Sequence, residues 1–165
     1  MAILDRGRID EVYVLMGPSS LSSQLPGTHT MRQNILDTID RAQDHLLIVG
    51  YMLNSEEVFQ RVVSKCSTVR VQVHLDRRQT RGDENASRMA SDLTKAGAEV
   101  KLHDAFEGSM HAKVIVADDH EAIVGSANFT HSGSNRNLEV GIRLRGPSVA
   151  VLRNAMRTMF EQMGR

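Results

Sequence analysis

The chain contains few of the residues that mark several large classes of protein. Cys66 is the only cysteine in 165 residues. No disulfide can therefore form within one chain, and an oxidising compartment is not indicated. Trp is absent and aromatic residues make up only 4% of the sequence. This scarcity argues against an aromatic-rich face for membrane binding. It also argues mildly against base stacking as the main way of binding single-stranded nucleic acid.

Long apolar runs and an excess of charge of either sign are also missing. No segment approaches the roughly 20 apolar residues that span a bilayer, and residues 1–10 are charged, without a leader-like apolar stretch. We therefore expect a cytoplasmic protein. The 20 basic and 20 acidic residues balance, so affinity for a polyanion would have to come from a local patch. Arg77, Arg78 and Arg81 form the best candidate, although a solvated surface also explains such a cluster.

Length and composition suit one folded domain over residues 1–165. Apolar residues make up 41% and charged residues 24%, close to the averages of globular proteins. A chain of this length can bury one apolar core but is short for two domains.

Helix-like and strand-like patterns alternate along the first hundred residues. Weak alternation predicts a strand over Glu11–Gly17, and the Pro, Gly, Ser and Thr of residues 18–28 predict a loop. Ser55 has the character of a helix N-cap. Three helix-then-strand units follow the loop: a helix from Thr30 with strand 45–51, a helix from Ser55 with strand 69–75, and helix 82–96 with strand Glu99–His103.

The pattern changes in the last third of the chain. Two short apolar runs, 112–117 and Glu121–Gly125, flank a turn and predict a β-hairpin. A polar loop over 127–137, a strand over 138–144 and an amphipathic helix over Ser148–Met163 follow. These elements predict an α/β fold whose mixed, mostly parallel sheet is sandwiched by helices.

Residues that could perform chemistry are concentrated around this hairpin. On a strand, positions two apart project to the same side, so His111 and Lys113 would direct an imidazole and an ammonium to one point. A nucleophile beside a fixed cation suits a phosphate. On these two residues alone, a surface pair would be the more ordinary interpretation.

Polar residues after the second hairpin strand could complete such a site. Gly125 would let the backbone approach a ligand, and Ser126 and Asn128 could donate hydrogen bonds to phosphoryl oxygens. Glu139 could accept a hydrogen bond from the ring nitrogen of His111 that does not attack, fixing its tautomer. Asp118 lies at a turn, where an aspartate usually has a structural role.

Together these residues resemble a known signature. The order His-x-Lys, four residues, Asp, six residues, Gly-Ser-x-Asn is similar to the complete motif of the phospholipase D superfamily, in its small bacterial endonuclease branch with one motif per chain. All six fixed positions are present, at His111, Lys113, Asp118, Gly125, Ser126 and Asn128. The resemblance implies a phospholipase D-like fold and a phosphodiester hydrolase.

The resemblance also implies a mechanism and a partner. Neutral His111 would attack phosphorus and form a phosphohistidine, while a second His protonates the leaving oxygen and then activates water. The motif occurs once in the chain, so the second His must come from another copy in a homodimer with one shared active site. No cofactor is implied, and no His-x-x-x-His spacing or similar pattern predicts a metal.

The substrate class is less constrained by the sequence. A largely sequence-nonspecific nuclease is favoured, with backbone contacts from Arg77, Arg78, Arg81 and Arg136. Stable membrane association is not expected. A phospholipid or cardiolipin hydrolase is the alternative within the same chemistry. A nucleic-acid-binding subunit of a larger complex, silent on its own, is the alternative outside it.

Overall fold

The computed structural model describes residues 10–104 and 109–163, without the side chains of residues 134, 135 and 163. Residues 1–9, which contain most of the charged N-terminal segment considered above, lie outside this range. Eight strands form one sheet in the order β2-β1-β8-β7-β6-β3-β4-β5. The strands are β1 Glu11–Gly17, β2 Thr28–Thr30, β3 His45–Gly50, β4 Arg70–Asp76, β5 Glu99–His103, β6 Val114–Ala117, β7 Glu121–Gly125 and β8 Glu139–Arg145.

Helices connect the strands and pack on both faces of the sheet. The longest helix in the described part, α7, has the predicted bounds and packs on the opposite face from α2, α3 and α5. The helices are α1 Ser19–Ser22, α2 Met31–Arg41, α3 Glu56–Lys65, α4 Arg77–Gly82, α5 Glu84–Lys95, α6 His131–Asn135 and α7 Ser148–Met163.

The sheet is mixed, and this confirms the predicted α/β class. The strand directions are less parallel than expected, because β1-β2, β3-β4 and β4-β5 are parallel and the other four pairings are antiparallel. The reason lies in the connections. A parallel pair needs a crossover, which α3 and α5 supply, whereas β6 and β7 form a hairpin and β7 reaches β8 through a loop with one short helix, so the chain reverses each time.

Two apolar cores lie on the two faces of the sheet. Residues predicted for the apolar side of α2, including Met31, Ile35 and Ile39, are at most 1% exposed and pack with α3 and α5 on one face. On the other face Val149 and Phe160 of α7 are buried over β3, β6 and β7. The amphipathic patterns of these helices predicted their buried sides correctly.

One part of the α7 face is apolar but uncovered. Directly paired residues of neighbouring strands share a face, and the pairings Val14 with Ile142 and Met16 with Val140 place these side chains on the α7 side of β1 and β8. Val12, Val14, Val140 and Ile142 are 40–57% exposed. We call these four residues the β1/β8 face.

Four short elements differ from the prediction. The expected loop over 18–28 contains α1 and the start of β2, the expected loop over 127–137 contains α6, and α4 precedes the predicted helix 82–96. Caps account for α4 and α5, since the carboxylates of Asp76 and Asp83 accept hydrogen bonds from the backbone N–H groups of Gln79 and Ala86. Ser55 precedes α3 as predicted, but its side chain makes no capping bond.

Candidate active site

The motif residues meet at one end of the sheet. Lys113 lies immediately before β6, Ser126 immediately after β7, and Glu139 is the first residue of β8. Because β6 and β7 run antiparallel, the start of one strand lies beside the end of the other, and the N–H of Gly125 donates to the carbonyl of Lys113 at 3.2 Å. Residues 25 or more positions apart in sequence are brought to one sheet edge in this way.

His111 and Lys113 are in direct contact, as expected, although both lie before β6 and not on a strand as the spacing argument assumed. The Nζ of Lys113 lies 2.8 Å from Nδ1 of His111 and donates to its backbone oxygen at 2.7 Å. Lys113 is only 5% exposed, whereas His111 is exposed. Burial lowers the pKa of Lys113, and the nearby charge of Glu139 partly opposes this shift. A cation is therefore fixed beside an accessible imidazole.

This contact determines which tautomer His111 adopts in the isolated chain. An ammonium can only donate, so Nδ1 of His111 must accept and the proton of the neutral ring lies on Nε2. Attack through Nε2 requires the opposite arrangement, with the proton on Nδ1. In this contact the ring proton of a neutral His111 therefore lies on Nε2, and it would have to move to Nδ1 before Nε2 could act as a nucleophile.

Glu139 and Ser126 form a second pair at the site. The hydroxyl of Ser126 donates to Oε2 of Glu139, and Asn137 Nδ2 donates to Oε1 at 3.4 Å. The N–H of Val140 donates to Ser126 Oγ at 3.1 Å, and the N–H of Ser126 donates to the Val140 carbonyl at 3.0 Å. In the described part of the chain, no hydrogen bond joins Glu139 to His111. The orienting contact expected from the sequence is thus not made within this chain, where the two carboxylate oxygens of Glu139 accept from Ser126 and Asn137.

Gly125 lies in close contact with β8. A Cβ at this position would lie 3.0 Å from both Gly141 Cα and the Val140 carbonyl oxygen. A close approach to a neighbouring strand therefore favours glycine here, and the predicted approach to a ligand stays a prediction. Its effect on the site is indirect, since it lets β8 bring Glu139 next to Ser126.

Asn128 is held beside the loop that follows β3. The carbonyl of the next residue, Phe129, accepts from the N–H groups of Asn54 and Ser55, each at 3.0 Å. The ring of Phe129 packs against Gly50, where a Cβ would lie 2.9 Å from a ring carbon. The Oδ1 of Asn128 is buried and has no hydrogen-bond partner among the described residues. Its predicted contact with phosphate stays a prediction.

Asp118 stabilises the hairpin turn between β6 and β7. Its carboxylate accepts hydrogen bonds from the backbone N–H groups of Gln43, Asp44 and His45, at 3.1, 2.8 and 2.9 Å. Burial raises the pKa of Asp118, but these three donors outweigh it and hold the pKa below its usual value. Asp118 also has a positive φ of 55°, which aspartate tolerates better than most residues. These contacts support the structural role that its turn position suggested.

Tyr51 is a member of the site that sequence reasoning missed. Its ring centroid lies 4.8 Å from that of His111, and the Nζ of Lys113 lies 5.4 Å from it. No hydrogen bond among the described residues involves its hydroxyl. Its position directly after the buried strand β3 was a usable signal, because strands of α/β sheets often carry functional side chains where they end.

The four arginines predicted to contact substrate lie in different surroundings. Arg77 pairs with Asp104 at 3.1 Å and donates to the Leu102 carbonyl, so it is already engaged. Arg78 is exposed and lines a cavity of about 480 Å³ together with Tyr51. Arg81 lines a different groove beside α5, and Arg136 is exposed. Of the arginines proposed to contact substrate, Arg78 is the one that shares a cavity with a residue touching His111.

The other histidines do not form a metal site in the described part of the chain. Nδ1 of His74 lies 2.8 Å from Nε2 of His103, and the ring of His74 stacks on Phe160 with centroids 3.8 Å apart. Burial first, and then the neighbouring His103 and Lys101, lower the pKa of His74 to about 4. No group of three His, Cys, Asp or Glu side chains suited to a metal occurs among residues 10–104 and 109–163. His131 is the exposed first residue of α6.

Comparison with known proteins decides the family. The sequence model of the family described as "Cardiolipin synthase, PLD-like domain" matches residues 35–163. The chain belongs to the phospholipase D superfamily. It is 29% identical over 149 residues to the DISARM protein DrmC of Bacillus paralicheniformis, and 30% identical over 106 residues to a phospholipase D of Rickettsia bellii. These matches cover 87% and 64% of this chain but 60% and 51% of those proteins.

Solved structures of the superfamily share the fold. The phospholipase D family member Nuc from Salmonella typhimurium superposes with a TM-score of 0.78 at 19% identity, and the match covers 94% of each chain. NucT from Helicobacter pylori gives a TM-score of 0.70 at 19% identity, covering 94% of this chain and 95% of that one. In the described part of this phospholipase D-like chain, no helix has the length and apolar character needed to cross a membrane.

Proposed function

We propose that this protein hydrolyses the phosphodiester bonds of nucleic acids without a metal, through a phosphohistidine on His111, in a homodimer that shares one active site. The observation that carries the proposal is the meeting of His111, Lys113, Ser126 and Glu139 at one sheet edge, on a complete superfamily motif. Membership of the superfamily supports phosphodiester chemistry.

The first step forms a bond between Nε2 of His111 and phosphorus, and the leaving oxygen departs with a proton from the second His111. That second imidazole then removes a proton from water, the water oxygen bonds to phosphorus, and the P–N bond breaks. Lys113 would supply the positive charge that balances the phosphoryl oxygens, and Ser126 and Asn128 are proposed to donate hydrogen bonds to them once substrate is bound.

Glu139 is proposed to hold the attacking imidazole in the correct tautomer. Within one chain Lys113 donates to Nδ1 of His111, and Glu139 is bound to Ser126 and Asn137. A phosphate that draws Lys113 to itself would release Nδ1, and a carboxylate could then accept the Nδ1 proton. In the proposed homodimer the second subunit can bring its His111 to Glu139. The orientation of the imidazole would then depend on dimer formation.

The β1/β8 face supports the homodimer. Its four exposed apolar side chains lie on strands that end at the site, and the backbone of Val140 is hydrogen-bonded to Ser126. A contiguous exposed apolar patch on a folded protein commonly marks an interaction surface. A second copy packed here would cover the patch and approach the site, which has only one His-x-Lys pair of its own.

A lipid substrate is the second candidate, because the matching family model is described by the name of a cardiolipin synthase. Purified protein should be assayed in excess EDTA against single- and double-stranded DNA, RNA, cardiolipin and phosphatidylcholine. We expect cleavage of nucleic acid that His111→Asn abolishes and His120→Asn, at the exposed hairpin turn, leaves intact. Exclusive cleavage of cardiolipin would make the lipid candidate the correct one.

Metal independence is tested by the same assay. Lys113 supplies the positive charge that a metal ion would otherwise provide, so excess chelator should leave the rate unchanged within about twofold. Loss of activity in EDTA, restored by magnesium or manganese, would overturn the His111 mechanism.

A further inference from the structure

A cavity of about 480 Å³ opens beside the candidate active site, and the superfamily motif does not account for it. Tyr51, Arg78, Gln79, His103 and Ser109 are among the residues that line it. The motif residues His111 and Lys113 are not in its walls. The cavity is connected to the chemistry through Tyr51, whose ring touches both of them.

Among the described residues around this cavity, one cation has no ion pair. Two acidic residues also line it, but Asp76 accepts hydrogen bonds from the N–H groups of Gln79 and Met110, both at 2.9 Å, and Asp104 pairs with Arg77. Arg78 is exposed and forms no ion pair with the described residues. The described walls therefore present an aromatic ring, neutral hydrogen-bonding groups and an exposed guanidinium.

We propose that this cavity binds the nucleotide adjoining the scissile phosphate, with its base or sugar against Tyr51 and its outer phosphate at Arg78. A volume near 480 Å³ lies within the range of small-molecule sites, about 300–1,000 Å³. Aromatic rings bind bases of any sequence by stacking, and arginine binds phosphate in a bidentate fashion. The amide of Gln79 and the hydroxyl of Ser109 can bond to the polar edge of the nucleotide.

This inference rests on the proposed function and extends it. In a twofold dimer the cavity occurs twice, once on each side of the shared site. One copy would hold the nucleotide retained on His111, and the other would hold the nucleotide that leaves. A strand would then be bound on both sides of the cleaved bond.

Small chromogenic esters can test the cavity separately from the chemistry. Thymidine 5′-(p-nitrophenyl phosphate) and methyl p-nitrophenyl phosphate have the same leaving group, but only the first has a nucleoside arm. Wild type should show the higher kcat/KM for the thymidine ester. Tyr51→Leu should lower the ratio of the two kcat/KM values by about tenfold, the loss expected for one stacking contact. Tyr51→Phe keeps the ring and should leave the ratio near the wild-type value.

Arg78 is tested with a third ester that carries an additional 3′-phosphate on the thymidine. Arg78→Gln should reduce the gain from that phosphate at least fivefold, while Lys95→Gln, on α5 and outside the cavity, should not change it. If Tyr51→Leu lowers both of the first two esters equally, Tyr51 only positions His111 and the nucleotide subsite is wrong. If wild type cleaves neither the esters nor nucleic acid, the proposed function itself fails.

Discussion

The contacts of the buried carboxylate of Glu139 indicate which role it can have. It is 7% exposed, accepts hydrogen bonds from Ser126 and Asn137, and acts on the charge of Lys113 from nearby. Nothing in these contacts makes it a proton donor to substrate. Its chemistry fits an acceptor that holds another group in place.

We expect Glu139→Gln to reduce kcat by about 100-fold or more while nucleic-acid binding stays within about twofold, because an orienting carboxylate acts on the tautomer of the imidazole. Initial rates and binding by fluorescence anisotropy measure the two effects. Glu161→Gln, an exposed glutamate of α7, is the control. An unaltered rate in Glu139→Gln would remove Glu139 from the site.

In the β6-β7 hairpin, the motif residue Asp118 has a structural role and stabilises the turn. Asp118 fastens the turn of this hairpin to the start of β3 by three backbone hydrogen bonds, and the N–H of Asp118 donates to the His45 carbonyl at 2.9 Å. Since β3 and β6 are paired along four residues, this contact helps to set the register of β6, the strand that directly follows His111 and Lys113.

Asp118→Ala should therefore lower the free energy of unfolding by about 2–4 kcal/mol, because three partly buried backbone N–H groups lose a charged acceptor. Asp118→Asn should cost less, since the amide oxygen can still accept. The folded-state pKa of Asp118 is depressed, so its stabilisation is present above about pH 4 and is lost as the pH falls through the folded value. Urea unfolding at pH 7 and pH 3 should show the difference between wild type and Asp118→Asn shrinking at the lower pH.

Asp118→Gly separates the hydrogen bonds from the backbone. Glycine accepts the positive φ of 55° without strain. If Asp118→Gly were as stable as wild type, the cost in the alanine variant would come from the backbone and the role of the carboxylate would be refuted.

The long elements were predictable and the short ones were not. α2 and α7 have apolar residues at helical spacing and β3 is a continuous apolar run, so periodicity located all three. α1, α6 and β2 have five residues or fewer, too few to show a period, and tertiary contacts decide their conformation. Tyr51 was missed because its proximity to His111 depends on the pairing of β3 with β6, which local sequence does not encode.

The arrangement of motif residues was predictable only in part. Spacing predicted that His111 and Lys113 lie together, and they are in contact, although both lie before β6. The partner of Glu139 could not be deduced in this way. The pairing of β7 with β8 puts Ser126 next to Glu139, and this depends on the glycines at positions 125 and 141 in neighbouring strands.

At the scale of the whole molecule, the exposed apolar β1/β8 face lies next to the candidate site. If the β1/β8 face is the dimer interface, Val140→Asp should weaken self-association at least tenfold, because a buried carboxylate without a partner is costly. Val14→Asp, on the neighbouring strand, should do the same. Val151→Asp, at an exposed valine of α7, should not. Sedimentation equilibrium measures the association. Unchanged dimers in both β1/β8 variants would assign the interface elsewhere.

A shared site also predicts how activity responds to mixed subunits. When wild type is refolded with a fraction f of His111→Ala, a mixed dimer lacks either the nucleophile or the acid. Activity should then fall as (1 − f)², provided that the subunits mix at random. Differently tagged subunits verify the exchange. A linear fall, 1 − f, would mean that each chain has a complete site.

The single occurrence of the His-x-Lys pair has a consequence for the two imidazoles of such a dimer. Before substrate binds they would have identical surroundings, so neither would be predisposed to be base or acid. Each binding event would break the symmetry, and a strand entering in either polarity would meet the same site with the roles exchanged. In such a dimer one position in the chain would serve two opposed chemical tasks, and no substitution there could improve one without altering the other.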